Sequence, residues 1–134
     1  MSQLQWNFLV KTTDGLKSEI AGNRLVDANG KIEKKLPAPA GGSTSTTTTV
    51  AVQPSATDKI EALLIYASKY DDKVTYTVSD ETGDGVSDVT LDGPQIFIGQ
   101  GAIGLLQKAP KTIAFTNALS EDVTVTIVVG RMVS

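Results

Sequence analysis

Two glycine- or acid-rich segments and a few carboxylate pairs are the residues of this chain whose types and spacing could do chemistry. Gly99-Gln100-Gly101-Ala102-Ile103-Gly104 matches G-x-G-x-x-G and follows a strand-like run. In a dinucleotide site such glycines give a tight turn and let a pyrophosphate approach a helix N-terminus. Asp122 even lies near the place of the usual ribose-binding acid. The surroundings argue against that use. A helix opened here must end before Pro110, which leaves about two turns, and no alternating βα units stand upstream. The expected role is a glycine-rich connection between sheets, with Ile103, Leu105 and Leu106 packed inward.

The second segment is Asp80-Glu81-Thr82-Gly83-Asp84-Gly85-Val86-Ser87-Asp88. Asp80, Thr82, Asp84 and Asp88 fall at positions one, three, five and nine of a calcium loop, with Gly85 at six. Leu91 stands where the bidentate glutamate is needed, and flanking helices are missing. From Asp71 to Asp92 seven acids meet one lysine, a local charge of -6. Such a cluster can hold a cation weakly, face a basic partner, or form a solvated turn. The pairs Asp71-Asp72, Asp80-Glu81 and Glu121-Asp122 sit at turns, where acids are common for local hydrogen bonding. The chain has no histidine and no cysteine. The commonest general base, the commonest transition-metal ligand and the thiolate nucleophile are therefore absent. The sequence designates no catalytic residue, no cofactor and no metal ligand, and an enzyme is disfavoured.

Charge narrows the partners. The formal net charge is -3 and the pI is about 4.8, whereas nucleic-acid binders carry a basic footprint. The one basic cluster, Lys31, Lys34 and Lys35 around Glu33, reads as a solvated hairpin edge. No apolar run approaches the ~20 residues of a membrane-spanning helix. The first residues lack the basic and apolar regions of a secretory signal, so the expected place of synthesis is a cytoplasm. Neither nucleic acid nor membrane is expected as a partner.

The elements that would position a site are strands. Leu4, Trp6, Phe8 and Val10 alternate with Gln3, Gln5, Asn7 and Leu9, the period-two pattern of a half-buried strand. Asn29-Gly30, between Arg24–Asp27 and Lys31–Glu33, predicts a small hairpin. Leu36-Pro37-Ala38-Pro39-Ala40-Gly41-Gly42-Ser43 reads as a linker or extended strap. The threonine run after it is either solvated or the approach to a strand at Val50–Val52. Val74–Val78, Val86–Leu91, Gln95–Ile98, Thr112–Thr116 and Val123–Val129 read as short strands between turn signals, which suggests a sandwich. Asp58-Lys59-Ile60-Glu61 resembles a helix capping box, yet the apolar run from Ile60 to Tyr66 also suits a strand buried on both faces, the preferred reading. The expected organisation is an extended arm over 1–49, with a small hairpin and a Pro/Gly/Thr linker, and a β-sandwich body over 50–134.

Trp6 and Phe8 lie in the arm, where the body need not cover them. An aromatic stripe there suits docking onto another chain; alternatively the strand completes the domain's own sheet. The candidate interface is Leu4, Trp6, Phe8, Val10, Leu36 and Pro37.

Three stretches carry a resemblance: Leu91-Asp92-Gly93-Pro94-Gln95-Ile96-Phe97-Ile98-Gly99, Ile113-Ala114-Phe115-Thr116-Asn117, and the Val/Thr-rich strand from Val123 to Arg131. They are similar to the jelly-roll cement or decoration proteins of tailed bacteriophage capsids, over roughly residues 50 to 131. The resemblance implies an all-β, jelly-roll-like sandwich on the capsid surface of a virion assembled in the host cytoplasm. It implies a protein that bridges neighbouring copies of the major capsid protein, with a homodimer as one possible state of the body. It supplies no functional residue. The alternatives are a receptor- or glycan-binding module of a phage tail or fibre, an enzyme built on Asp/Glu pairs, and a self-assembling shell or tail component.

Overall fold

In a computed structural model that describes residues 2–52 and 59–132, most residues run as antiparallel strands. The strands are β1 (Ser2–Lys11), β2 (Lys17–Val26), β3 (Ala28–Leu36), β4 (Thr46–Ala51), β5 (Lys59–Ala67), β6 (Val74–Asp80), β7 (Gly83–Asp84), β8 (Val89–Thr90), β9 (Gln95–Ile98), β10 (Thr112–Asn117) and β11 (Val123–Met132), with a five-residue helix, α1 (Gln100–Gly104), after β9. One sheet has the order β3-β11-β5-β9. The other has β4-β10-β6, with β7 and β8 both along the far side of β6. The chain is an all-β sandwich, and a separate two-stranded hairpin, β1-β2, is added to it.

Alternation along each strand builds the core. Val74, Tyr76 and Val78 point inward from β6, Ile113 and Phe115 from β10, and Val123, Val125, Ile127 and Val129 from β11. Tyr76 and Phe115 are opposite one another across the β6–β10 ladder. Their ring centroids lie 5.9 Å apart at an interplanar angle of 51°, a tilted arrangement that aromatic pairs favour. Asn117 closes one end of the core. It is wholly buried. Its Nδ2 donates to the carbonyls of Leu36 at 3.1 Å and Glu121 at 3.0 Å, and its Oδ1 accepts from the Leu119 amide at 2.9 Å. One side chain thus ties β3 to the β10–β11 turn and satisfies carbonyls that burial would otherwise leave unpaired.

The body is one long antiparallel ribbon, rolled up. β3 pairs with β11, β4 with β10, β5 with β9 and β6 with β8, each pair nested inside the one before. Rolling brings β11 against β5 and β10 against β6, which closes the two sheets over the core. One side of the sandwich is therefore edged by β3 and β4, the other by β9 and the β7–β8 segment.

Several sequence expectations change. The hairpin turn near the start lies at Asp14-Gly15, not at Asn29-Gly30. Gly15 takes a positive φ of 108°, and the Thr12 amide donates to the Leu16 carbonyl at 2.8 Å. Asn29 and Gly30 instead sit inside β3 opposite Gly130 and Val129, because β11 offers a long apolar strand that outcompetes a local turn. The sandwich consequently begins at residue 28 rather than 50. The Pro/Gly stretch from Pro37 onward is a crossover between sheets of one body, with Gly41 and Gly42 at positive φ. The threonine run forms β4, paired with β10.

The run from Ile60 to Tyr66 is a strand, and its capping-box residue Asp58 lies outside the described residues. Of the expected strand Val86–Leu91 only Val89–Thr90 has ladder pairing. Ile103 and Leu106 pack inward as expected, but Leu105 is 71% exposed.

Candidate partner-binding surface

The four-stranded sheet is apolar on its outer face as well. Register places Ala62 and Leu64 of β5 beside Ile98 and Ile96 of β9 and beside Gly130 and Val128 of β11, all pointing away from the core. The hairpin lies over this patch. On its inward face Leu4, Trp6 and Phe8 of β1 stand opposite Arg24, Gly22 and Ile20 of β2. Leu4 and Val26 reach Gly130, where a built Cβ would meet them at 3.7 and 3.0 Å. The lack of a side chain at Gly130 is what lets the hairpin root approach. Gly22 serves the same purpose within the hairpin, since a Cβ there would lie 2.6 Å from Trp6 Cζ2. The indole covers the bare backbone of its neighbour.

A bulge holds the root. Ala62 pairs with Gly130 and Ile60 with Arg131, so Glu61 is the extra residue of β5. Bulges re-aim side chains, and here Glu61 Oε2 meets Arg24 Nη1 at 2.5 Å while Gln100 Nε2 donates to Glu61 Oε1 at 2.9 Å. The Glu61 side chain is 16% exposed. Removing either partner would leave the other charge half-desolvated. The Asp27 amide adds a bond to the Arg131 carbonyl at 2.8 Å.

Beyond the root the fit is loose. A cavity of about 190 Å³ remains between hairpin and sheet, lined by Leu4, Trp6, Phe8, Leu64, Ile96 and Ile98 among others. Val10 is 62% exposed and Ile20 63%, and Leu9, Leu16 and Leu25 are exposed too. Apart from Leu25 at the root, these side chains lie in the distal half of the hairpin, and no described residue covers them. Exposed apolar area of this kind is unusual for a surface that meets only water.

Of the six expected interface residues, Leu4, Trp6 and Phe8 are half-buried against the sheet and Val10 is free. Leu36 is corrected: it is 1% exposed and belongs to the core, because its strand pairs with β11 and turns it inward. Pro37 is exposed at the start of the crossover, away from the hairpin's elements. Ile20, Gly22 and Arg24 were missed. Their alternation with Glu19, Ala21 and Asn23, after the Asp14-Gly15 turn, was the available signal.

The other candidate motifs are held by local structure. The Gly99–Gly104 run opens only the five-residue α1, and Gly99 takes a positive φ of 94°. In the acidic loop Asp80 accepts from the Thr82 hydroxyl at 2.6 Å and its amide at 2.7 Å. Those bonds hold its carboxyl below the usual range. Asp84 accepts from Ser79 at 2.7 Å. Lys108 and Lys111 stand by Asp80 and Glu81 at 3.9 and 4.0 Å. Asp122 is likewise lowered, by the Ala38 amide and then by Lys35, and Asp71 by the Lys73 amide. Downward shifts are the opposite of what a general acid or base near neutral pH requires. Among the described residues no cluster of three or more acids could hold a metal ion, and no helix is long and apolar enough to cross a membrane.

Comparison of the sequence with protein-family models, with curated proteins and with solved structures finds no match in any of the three.

Proposed function

We propose that this chain is a non-catalytic structural component of a virus particle, seated on the outer capsid surface. In this reading the β1-β2 hairpin docks the body onto the major capsid protein and bridges neighbouring subunits. The observation that carries it is the exposed apolar pair Val10 and Ile20, next to the half-buried Phe8, on an element already latched to the body by Arg24 and Glu61. A preformed hairpin loses little conformational freedom on binding, and many such sites on one shell reinforce each other. The nested strand pairs of the all-β sandwich add support, since such nesting is in keeping with the jelly-roll winding this reading calls for. The docking segment is residues 2–26, shorter than the arm expected from sequence. The glycan-binding alternative gains nothing comparable: among the described residues Tyr70 is the one aromatic side chain in the open, and a stacking platform needs several together.

Co-sedimentation with shells of the major capsid protein of the virus that encodes the chain tests the proposal. The wild-type chain is expected to pellet with shells. The Val10→Asp, Ile20→Asp double variant, changed only at exposed positions, is expected to stay in solution while folding normally. Equal occupancy by the two would overturn the proposal.

A further inference from the structure

We infer that copies of this chain associate side by side, the β3 edge of one sandwich meeting the β7–β8 edge of the next. Strand order puts these two edges on opposite sides of the body, and their charges are opposite. β3 carries Lys31, Lys34 and Lys35 against one acid, Glu33. The far edge, from Gly83 to residue 92, carries Asp84, Asp88 and Asp92 with no cation. All six side chains are exposed.

Among the described residues each edge keeps an excess of its own charge, although Lys108 packs against Gly85 and stands 3.9 Å from Asp80 beside the acidic one. Lys31 and Lys35 touch Glu33 at 3.4 Å and Asp122 at 3.1 Å, both well exposed. Lys34 has no ion-pair partner among the described residues, and neither have Asp88 and Asp92. Lys34 is also placed on the inward side of its strand, opposite the buried Val125. A lysine there keeps a bare strand edge from pairing indiscriminately by its backbone, and leaves an ammonium at the rim for a carboxylate to meet. The β7–β8 edge is blunted differently. Its pairing with β6 loses register between Asp84 and Val89, the Val86 amide there donates to the Leu106 carbonyl at 3.0 Å, and the bare Gly85 permits that approach, since a Cβ built on it would lie 2.3 Å from the Leu106 oxygen. Two edges closed to backbone pairing but oppositely charged select each other and repel themselves.

Such a contact uses different surfaces on the two copies. It is heterologous, so it propagates into a ring or a row rather than stopping at a two-fold dimer. The inference does not depend on the capsid reading, because the hairpin takes no part in it.

Sedimentation equilibrium of the full chain decides it. In about 20 mM salt the mass is expected to rise above 14.1 kDa with concentration. In about 500 mM salt the association should weaken at least about tenfold, since exposed pairs are screened. The Lys31→Glu, Lys34→Glu, Lys35→Glu variant and the Asp84→Lys, Asp88→Lys, Asp92→Lys variant should each be monomeric. An equimolar mixture should associate again, because each then offers the edge the other needs. A wild-type chain that stays monomeric at low salt would mean that the lysines only protect the edge, and would overturn the inference. Association unmoved by salt or by the lysine reversals would overturn it equally. Circular dichroism checks that the variants fold. Should the aspartate variant fail to fold, the salt titration and the lysine variant decide alone.

Discussion

The two faces of the β3-β11-β5-β9 sheet are built from the same kinds of residue and packed to different standards. Its inner face meets Tyr76, Phe115 and Ile113 with side chains exposed by 1% or less. Its outer face meets the hairpin with Trp6 and Phe8 half-buried and a cavity of about 190 Å³ left over. Apolar composition alone does not make a core. The inner face is closed because rolling the ribbon forces two sheets together along their whole length. The outer face is covered by one hairpin fixed only at its root, by Arg24, Leu4 and Val26. A tightly packed face responds steeply to lost volume. A loose one responds weakly in stability and strongly in binding.

The largest expected effect is therefore on the inner face. Phe115→Ala should cost about 3–5 kcal/mol in urea unfolding, a large share of the roughly 5–15 kcal/mol by which folded domains are stable. A cost under about 1 kcal/mol would break the contrast. Next comes the end of the core. Asn117→Ala leaves the Leu36 and Glu121 carbonyls and the Leu119 amide without their partner and should cost roughly 2–3 kcal/mol.

Alkaline unfolding follows. Burial pushes the Tyr76 phenol from 10.0 up to about 12. The folded chain keeps a proton that the unfolded chain releases, so this contribution is complete below pH 10 and disappears as the pH rises toward 12. It amounts to something on the order of 2 kcal/mol, and a Tyr76→Phe variant should lack that part of the alkaline decline. On the outer face, Gly22→Val puts a side chain where the indole lies. It should shift the fluorescence of the chain's single tryptophan while changing stability by only about 1 kcal/mol. A loss as large as that of Phe115→Ala would show that the hairpin is part of the core.

The smallest effect is in acid. Asp80 and Asp122 are held below the ordinary 3.8 by local hydrogen bonds. Their support is present above that pH and is lost as the pH falls through their lower folded values. Asp80→Asn should lower the stability at neutral pH slightly and flatten the acid limb by the same amount, leaving the stability at low pH unmoved.

Sequence pattern was most informative where a strand has one wet face. Val74 to Val78 and Thr112 to Thr116 could be bounded closely because every second residue is apolar and buried. Pairing was not legible. Asn29-Gly30 is a strong local turn signal, and it lost to nine residues of ladder with β11, a partner about a hundred residues away in the chain. Leu36 looked like part of a linker because Pro37 follows it, yet register turns it into the core. The outer-face patch was legible only in part. Leu4, Trp6 and Phe8 alternate visibly, but what they cover depends on Gly130 and on the bulge at Glu61, and neither announces itself in a sequence.

The nested ribbon also sets how the chain finds its shape. Its innermost pair, β6 with β8, brings together residues fewer than twenty apart, whereas its outermost, β3 with β11, joins positions separated by most of the body. Each outer pairing closes a shorter loop once the inner one exists. Folding that zips outward from the β6–β8 turn would be slow, in the range of milliseconds to seconds for such non-local topologies. The two outermost strands would then be the last to join, with the hairpin's anchor at Arg131 completed only when they do.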